Sequence, residues 1–145
     1  CDVSREAVEK ALENFRGTIE QIPPMVSAIK VGGRPLYKLA RQGKTIERKP
    51  RKVKIYQLEL LKFEPGPNPK ASLRIACSKG TYIRTLCADI GQKLGCGAHL
   101  SQLVRTRVGD FSLNESRTLS EIERLSSKNE LEKIIISPKK IFKKF

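Results

Sequence analysis

Nothing in this chain suits a bilayer or an oxidised, secreted scaffold. No apolar run approaches the roughly 20 residues needed to cross a membrane, and the N-terminus carries no signal-peptide pattern. The four cysteines, Cys1, Cys77, Cys87 and Cys96, include no C-x-x-C pair, and without a secretory signal they are expected as reduced thiols in a cytoplasm. A zinc site from Cys87, Cys96 and the lone His99 lacks the paired spacing that zinc ligands show, so no metal site is expected and His99 reads as a structural histidine. Acids are also scarce. Against 29 Lys+Arg there are 15 Asp+Glu, leaving a net charge of +14, which calls for a polyanionic partner, either nucleic acid or an acidic membrane surface. The basic residues fall in a turn-rich segment rather than on one face of an amphipathic helix, which favours nucleic acid. No repeat or low-complexity tract suggests a second large unit, and 145 residues suffice for one domain with a real core. The chain opens at Cys1 without an initiator methionine and reads as a fragment or a processed chain.

What is present is organised around Ser78 to Gly91, a strand joined to a helix through a tight polar turn. Leu73, Ile75 and Cys77 alternate with Arg74, Ala76 and Ser78, the pattern of a strand with one buried face. Ile83, Leu86, Cys87, Ile90 and Leu94 then recur at helical spacing, with Thr81 placed to cap the helix and Gly95 placed to end it. Arg84 falls in the first turn, where the helix dipole disfavours a cation by roughly 0.3 to 1 kcal/mol. An arginine there calls for an anionic partner, a carboxylate or a phosphate; the plain alternative is a solvated surface arginine. Asp89 is expected to point outward, paired with Lys93 one turn on.

The spacing predicts an amphipathic helix over residues 2–16, capped by Ser4 and ended by Gly17, and a short strand over 18–22 closed by Pro23-Pro24. From Met25 to Pro50 the apolar periodicity fades, apart from a short helical piece at Leu36 to Arg41. Between Lys30 and Lys54 stand ten basic residues and one acid, Glu47, with Tyr37 among them. Such a stretch repels itself unless it is solvated or bound to phosphate, and a tyrosine there can pack on a ribose or a base. The alternative is a solvated loop anchored by its tyrosine. Lys30, Arg34, Tyr37, Lys38, Arg41, Lys44 and Arg48, with Lys79 in the later turn and Arg105 beyond, are the candidate contacts to RNA or DNA. Val53 to Phe63 is a long strand whose apolar pattern changes face, which predicts a bulge or burial on both faces. The Pro65-Gly66-Pro67-Asn68-Pro69 turn returns the chain antiparallel. Val104 to Val108 alternates as a strand would, with Leu103 reading as ordinary core, and Thr118 with Glu121 forms a capping box before a helix to Ser126. The lysine-rich end, Lys139 to Phe145, reads as a frayed terminus or a backbone-binding patch.

The run Gln21-Ile22-Pro23-Pro24-Met25-Val26-Ser27-Ala28-Ile29-Lys30, then Leu36 to Gly43, Cys77 to Ile90, and Leu94-Gly95-Cys96-Gly97-Ala98-His99-Leu100 resembles, in order and spacing, the bacterial tRNA pseudouridine synthases that modify the T-loop uridine, the TruB family. The resemblance spans Val3 to about Leu125. The matches at Pro24-Met25 and Gly97-Ala98-His99 point to the bacterial type rather than to the guide-directed eukaryotic and archaeal relatives. It implies an α/β (α+β) fold, a mixed, mainly antiparallel sheet flanked by helices, here incomplete. Residues 1–112 would be the C-terminal part of the catalytic domain, 24–50 a basic insertion gripping the tRNA T-arm, and 113–145 a helical extension or the start of a small accessory domain. Tyr82, Arg84 and Leu103 would line the uridine pocket, with Arg84 paired to the catalytic aspartate. No cofactor is implied; the partner is tRNA, and the protein a cytoplasmic monomer.

The sequence departs from the family in two places. It contains no glycine-leucine-aspartate-proline motif, which holds the family's nucleophile, so the chain alone is expected to be inactive. Val104 stands where the family's leucine-arginine-arginine run has an arginine. A noncatalytic RNA-binding module on the same scaffold is the alternative.

Overall fold

The computed structural model describes residues 3–137, so Cys1, the expected helix start at Asp2 and the lysine-rich end lie outside the described residues. The chain forms two compact units, Cys1–Gln102 and Leu103–Phe145.

In the first unit Ser4 accepts the Ala7 amide at 3.1 Å and starts helix α1, Arg5–Glu13. Strand β1, Gly17–Gln21, follows. The basic segment holds a two-strand hairpin, β2 (Lys30–Val31) and β3 (Arg34–Pro35), turning at Gly32-Gly33, and then helix α2, Leu36–Arg41, at the bounds that the sequence suggests. Strands β4 (Arg51–Glu64) and β5 (Lys70–Cys77) form an antiparallel ladder, and β1 pairs antiparallel with the other side of β4. The predicted change of face in β4 arises from two register shifts, between Ile55 and Gln57 and between Leu60 and Lys62. Burial on both faces, the other possibility, does not occur: Val53, Ile55 and Leu58 are buried while Tyr56 and Leu61 face solvent. The bulges absorb the extra residues and let the strand keep a single apolar face.

Helix α3, Ile83–Lys93, closes the unit. Its Leu86 and Ile90 meet Val8 and Leu12 of α1 and Ile55 and Leu58 of β4, so both helices cover one face of the sheet and the core lies between them. The other face carries mainly charged and polar side chains, with Tyr56 and Leu61 exposed along β4.

The second unit has a small hairpin of β6 (Arg107–Val108) and β7 (Phe111–Ser112), and helix α4, Leu119–Ser127. The strand expected over 104–108 is limited to Arg107–Val108, because the only ladder partner among the described residues is the Phe111–Ser112 pair across the turn. The capping box is present: Glu121 N–H donates to Thr118 Oγ1 at 3.2 Å and Thr118 N–H to Glu121 Oε2 at 2.8 Å. The Thr118 amide, and after it the Thr118 hydroxyl, donate to Glu121 Oε2 and hold its carboxyl below the usual range. No described residue of this unit is buried. Among the described residues no helix is long and apolar enough to cross a membrane.

Candidate nucleic-acid interface

The turn between β5 and α3 is tied to β4 at both atoms of one residue. Lys54 N–H donates to Ser78 Oγ at 2.9 Å, and Ser78 N–H donates to Lys54 O at 2.8 Å. The Thr81 hydroxyl donates to Ser78 O at 2.9 Å, so it closes the turn and does not cap the helix as the sequence suggested. The N-cap is Tyr82, whose side chain makes no capping bond.

A side chain 61 residues away supplies what the cap lacks. Tyr82 N–H donates to Gln21 Oε1 at 3.0 Å, and Gln21 Nε2 donates to Tyr82 O at 3.3 Å. Gln21 is 2% exposed. Its amide pairs with the Tyr82 peptide as a neighbouring strand would, fixing the backbone from which Tyr82 and Arg84 project. Sequence reasoning passed over Gln21. The available signal was a polar residue at the inward position of an alternating strand, two residues after Ile19 and just before Pro23-Pro24.

With Tyr82 as cap, Arg84 stands at the second helical position and is exposed. Its Nη2 donates to Val26 O at 2.8 Å. No carboxylate among the described residues pairs with it; the oxygen it meets is a backbone carbonyl. Arg48 does the same three positions earlier, donating Nη1 to Pro23 O at 3.1 Å, with its Nε buried and unpartnered among the described residues. Two guanidiniums from distant parts of the chain thus hold the Pro23–Ser27 link that leads into the basic segment.

That segment is folded onto the unit. Leu36 is 1% exposed, and Leu36 N–H and Tyr37 N–H donate to Ile29 O at 2.8 Å and Ser27 O at 3.0 Å. Around this anchor Lys30, Arg34, Lys38, Arg41 and Lys44 all face solvent. The Arg41 guanidinium lies 5.5 Å from the half-buried Tyr37 ring centroid. Arg48 is the exception, half-buried and committed to Pro23.

Lys79 is exposed in the turn and Tyr82 half-buried beside it. In the second unit Leu103 is 55% exposed, not core, and Arg105 is exposed. A groove along α3 is lined by Phe15, Glu20, Ile22, Thr85, Asp89, Gln92 and Lys93, none of them a predicted site residue. Asp89 points into it half-buried, its carboxyl raised by burial, and makes no ion pair with Lys93. Burial likewise pushes the Cys87 thiol up. Among the described residues no His, Cys, Asp and Glu side chains gather as a metal would require.

A model of the TruB family pseudouridylate synthase N-terminal domain matches residues 1–83, and one of the tRNA pseudouridylate synthase B C-terminal domain matches residues 84–139. The tRNA pseudouridine synthase B of Symbiobacterium thermophilum is 57% identical over 120 residues, 83% of this chain and 40% of that protein. That of Dechloromonas aromatica is 52% identical over 134 residues, 92% of this chain and 44% of the relative. The chain therefore spans less than half the length of these curated relatives. Among solved structures, a chain of a Cbf5–Nop10–Gar1 complex superposes with a TM-score of 0.74 at 30% identity, covering 97% of this chain and 39% of that one. A chain of an H/ACA RNP bound to a substrate RNA containing 2′-deoxyuridine gives 0.62 at 26% identity, covering 97% and 34%.

Proposed function

Because the chain belongs to the TruB family of pseudouridylate synthases, we propose that the protein isomerises the T-loop uridine of tRNA to pseudouridine, this chain supplying the tRNA grip and part of the uridine pocket. The net change breaks the C1′–N1 bond, forms C1′–C5, and exchanges a proton from C5 to N1, so no redox partner is needed. Reaching the base requires turning the nucleotide out of its stack, at a cost of a few kcal/mol.

The observation that carries this reading is Arg84: a guanidinium beside Tyr82, held at a helix N-terminus by a backbone clamp, exposed, and without a carboxylate among the described residues. One nitrogen is spent on Val26 O, and its remaining donors are free for the catalytic aspartate. Leu103 and Tyr82 are the apolar and aromatic walls of the pocket in this reading. The cationic grip is Lys30, Arg34, Lys38, Arg41 and Lys44, with Tyr37 among them and with Lys79 and Arg105 as further RNA contacts; Arg48 serves by holding the Pro23 link. The nucleophile's motif is not in this chain, so incubated alone with unmodified tRNA it forms no pseudouridine; detection of the product would overturn that part. The protein acts as a monomer in the cytoplasm, where its tRNA is.

The test is binding of the 145-residue chain to a T-arm stem-loop and to a scrambled hairpin across a salt titration. Preference for the T-arm is expected; equal affinity would reduce the chain to a nonspecific RNA-binding module. Replacing Arg41 and Lys44 together by glutamine is expected to flatten the slope of log affinity against log salt by about two units, since each neutralised duplex phosphate contributes about 0.9. An unchanged slope would remove α2 and its flank from the RNA interface.

A further inference from the structure

The sheet face opposite the helices carries an aromatic that neither the fold nor the proposed pocket uses. Along β4, Lys52, Lys54 and Tyr56 face solvent while Val53 and Ile55 are buried. Tyr56 is 63% exposed and sits in the first register shift of β4, between Ile55 and Gln57. Bulges of this kind re-aim side chains. Lys54 Nζ lies 5.6 Å from the centroid of its ring. The paired bonds between Lys54 and Ser78 bring the next residue, the exposed Lys79, to the same end of the sheet.

The charge here is not self-cancelled. Lys52, Lys54 and Lys79 form no ion pair among the described residues. Glu20 stands opposite Lys52 in the ladder without an ion pair to it, and Glu59 further along is already engaged by Gln57 Nε2 at 2.8 Å and Arg74 at 3.8 Å. Lysines on a sheet face need no more explanation than solubility, and solubility argues against an exposed tyrosine ring in their midst. A ring presented to solvent between cations is the pairing that binds unstacked bases: the ring takes a base face and the lysines take the flanking phosphates.

Building on the RNA-binding reading above, we propose that Tyr56, with Lys52, Lys54 and Lys79, forms a stacking platform for a single-stranded stretch of the bound RNA. The contact is sequence-tolerant, since every base offers a face to the ring.

The test uses the 145-residue chain and a fluorescein-labelled oligouridine of about ten nucleotides, within the usual span of such sites, read by anisotropy across a salt titration. Tyr56→Ala is expected to weaken binding about fivefold or more at every salt concentration, the lower end of one lost stacking contact, without changing the salt slope. Tyr56→Phe keeps the ring and stays within about twofold of wild type, which separates stacking from hydrogen bonding by the hydroxyl. Lys52→Gln with Lys54→Gln flattens the slope by about one to two units. Because the ring is exposed, unchanged circular dichroism and melting temperature are expected for both Tyr56 variants. Wild-type binding with no loss in Tyr56→Ala overturns the platform and leaves the RNA-binding reading standing. Failure of the wild-type chain to bind either this probe or the T-arm overturns both.

Discussion

Gly91→Ala is expected to destabilise the first unit by about 3 kcal/mol or more, at the upper end of what overpacking costs. The direction opposes ordinary helix chemistry, in which replacing an interior glycine by alanine gains about 1 kcal/mol. Gly91 lies within α3 and is buried. A Cβ added there would stand 2.1 Å from Ala98 N, 2.3 Å from Gly97 C and 2.5 Å from Ala98 Cβ. Two of these are backbone atoms, and they cannot drift away cheaply. Cys96 N–H and Gly97 N–H both donate to Gly91 O, at 3.2 and 3.0 Å, so the loop that would be struck is bonded to the residue that strikes it. The chain leaves the helix at Leu94, turns through Gly95 with φ +76°, and crosses back over the Gly91 turn. Alanine must either lift that crossing, losing both bonds, or shift α3 against Leu12 and Leu58. Urea unfolding of the chain decides it: a midpoint within error of wild type would mean that the crossing yields. RNA binding by the basic segment is expected to survive wherever the variant remains folded.

Local patterns in the sequence carried the elements, and their limits were physical. The α2 bounds, the Ser4 cap, the Thr118 box and the irregular β4 all follow from rules that operate over a few residues, so they are readable without a fold. The hairpin at Gly32-Gly33 escaped because its strands are two residues each and mostly charged, leaving no apolar alternation to detect. Thr81 suits the cap by residue type, but the nearer Ser78 carbonyl takes its hydroxyl instead. Arg48 stands among basic neighbours in the sequence, yet its partner is the carbonyl of Pro23, 25 residues away. Tyr56 falls within the changing apolar pattern of β4, and nothing local says which residue of a bulged strand is turned out. Arg84 shows the boundary most clearly. Its position in the first turn signalled the need for an oxygen partner, but that the oxygen is Val26 O depends on a 58-residue loop closure that no local rule encodes. The proposed roles of Tyr82, Arg84 and Leu103 came from a resemblance in motif order, and Leu103 in particular carries no chemical signal of its own.

The Gln21 clamp is where nonlocal structure and the candidate site meet, and its removal has two distinguishable outcomes. Gln21→Met preserves length and burial but leaves Tyr82 N–H without an acceptor, at a cost of about 1 to 3 kcal/mol. Tyr82 O still accepts Leu86 N–H at 3.0 Å, so the helix keeps its first bond and the damage is confined to the cap. Gln21→Glu is nearly the same shape and behaves differently. Protonated, its carboxyl can accept from Tyr82 N–H and donate to Tyr82 O, reproducing both native bonds. Ionised, it would be a buried charge with an oxygen turned toward the Tyr82 carbonyl, and desolvation raises its pKa in the folded state. A raised folded-state pKa means that stability is fully present below the unfolded carboxyl range and is lost as pH rises through the folded value. Gln21→Glu should therefore approach wild-type stability in mild acid and fall away towards neutral pH by roughly 3 kcal/mol or more, the scale of an uncompensated buried charge. The wild-type amide cannot titrate and Gln21→Met has nothing to titrate there, so the difference between variant and wild type isolates the clamp. Urea unfolding across that range, with amide exchange at Tyr82 as the local probe, tests both. A pH-independent Gln21→Glu deficit, or a Tyr82 amide equally protected in all three proteins, would show that Gln21 merely fills space under the site. A deficit that follows pH, with exchange at Tyr82 accelerating in step, would show that one buried amide sets where α3 begins and hence where Tyr82 and Arg84 are presented.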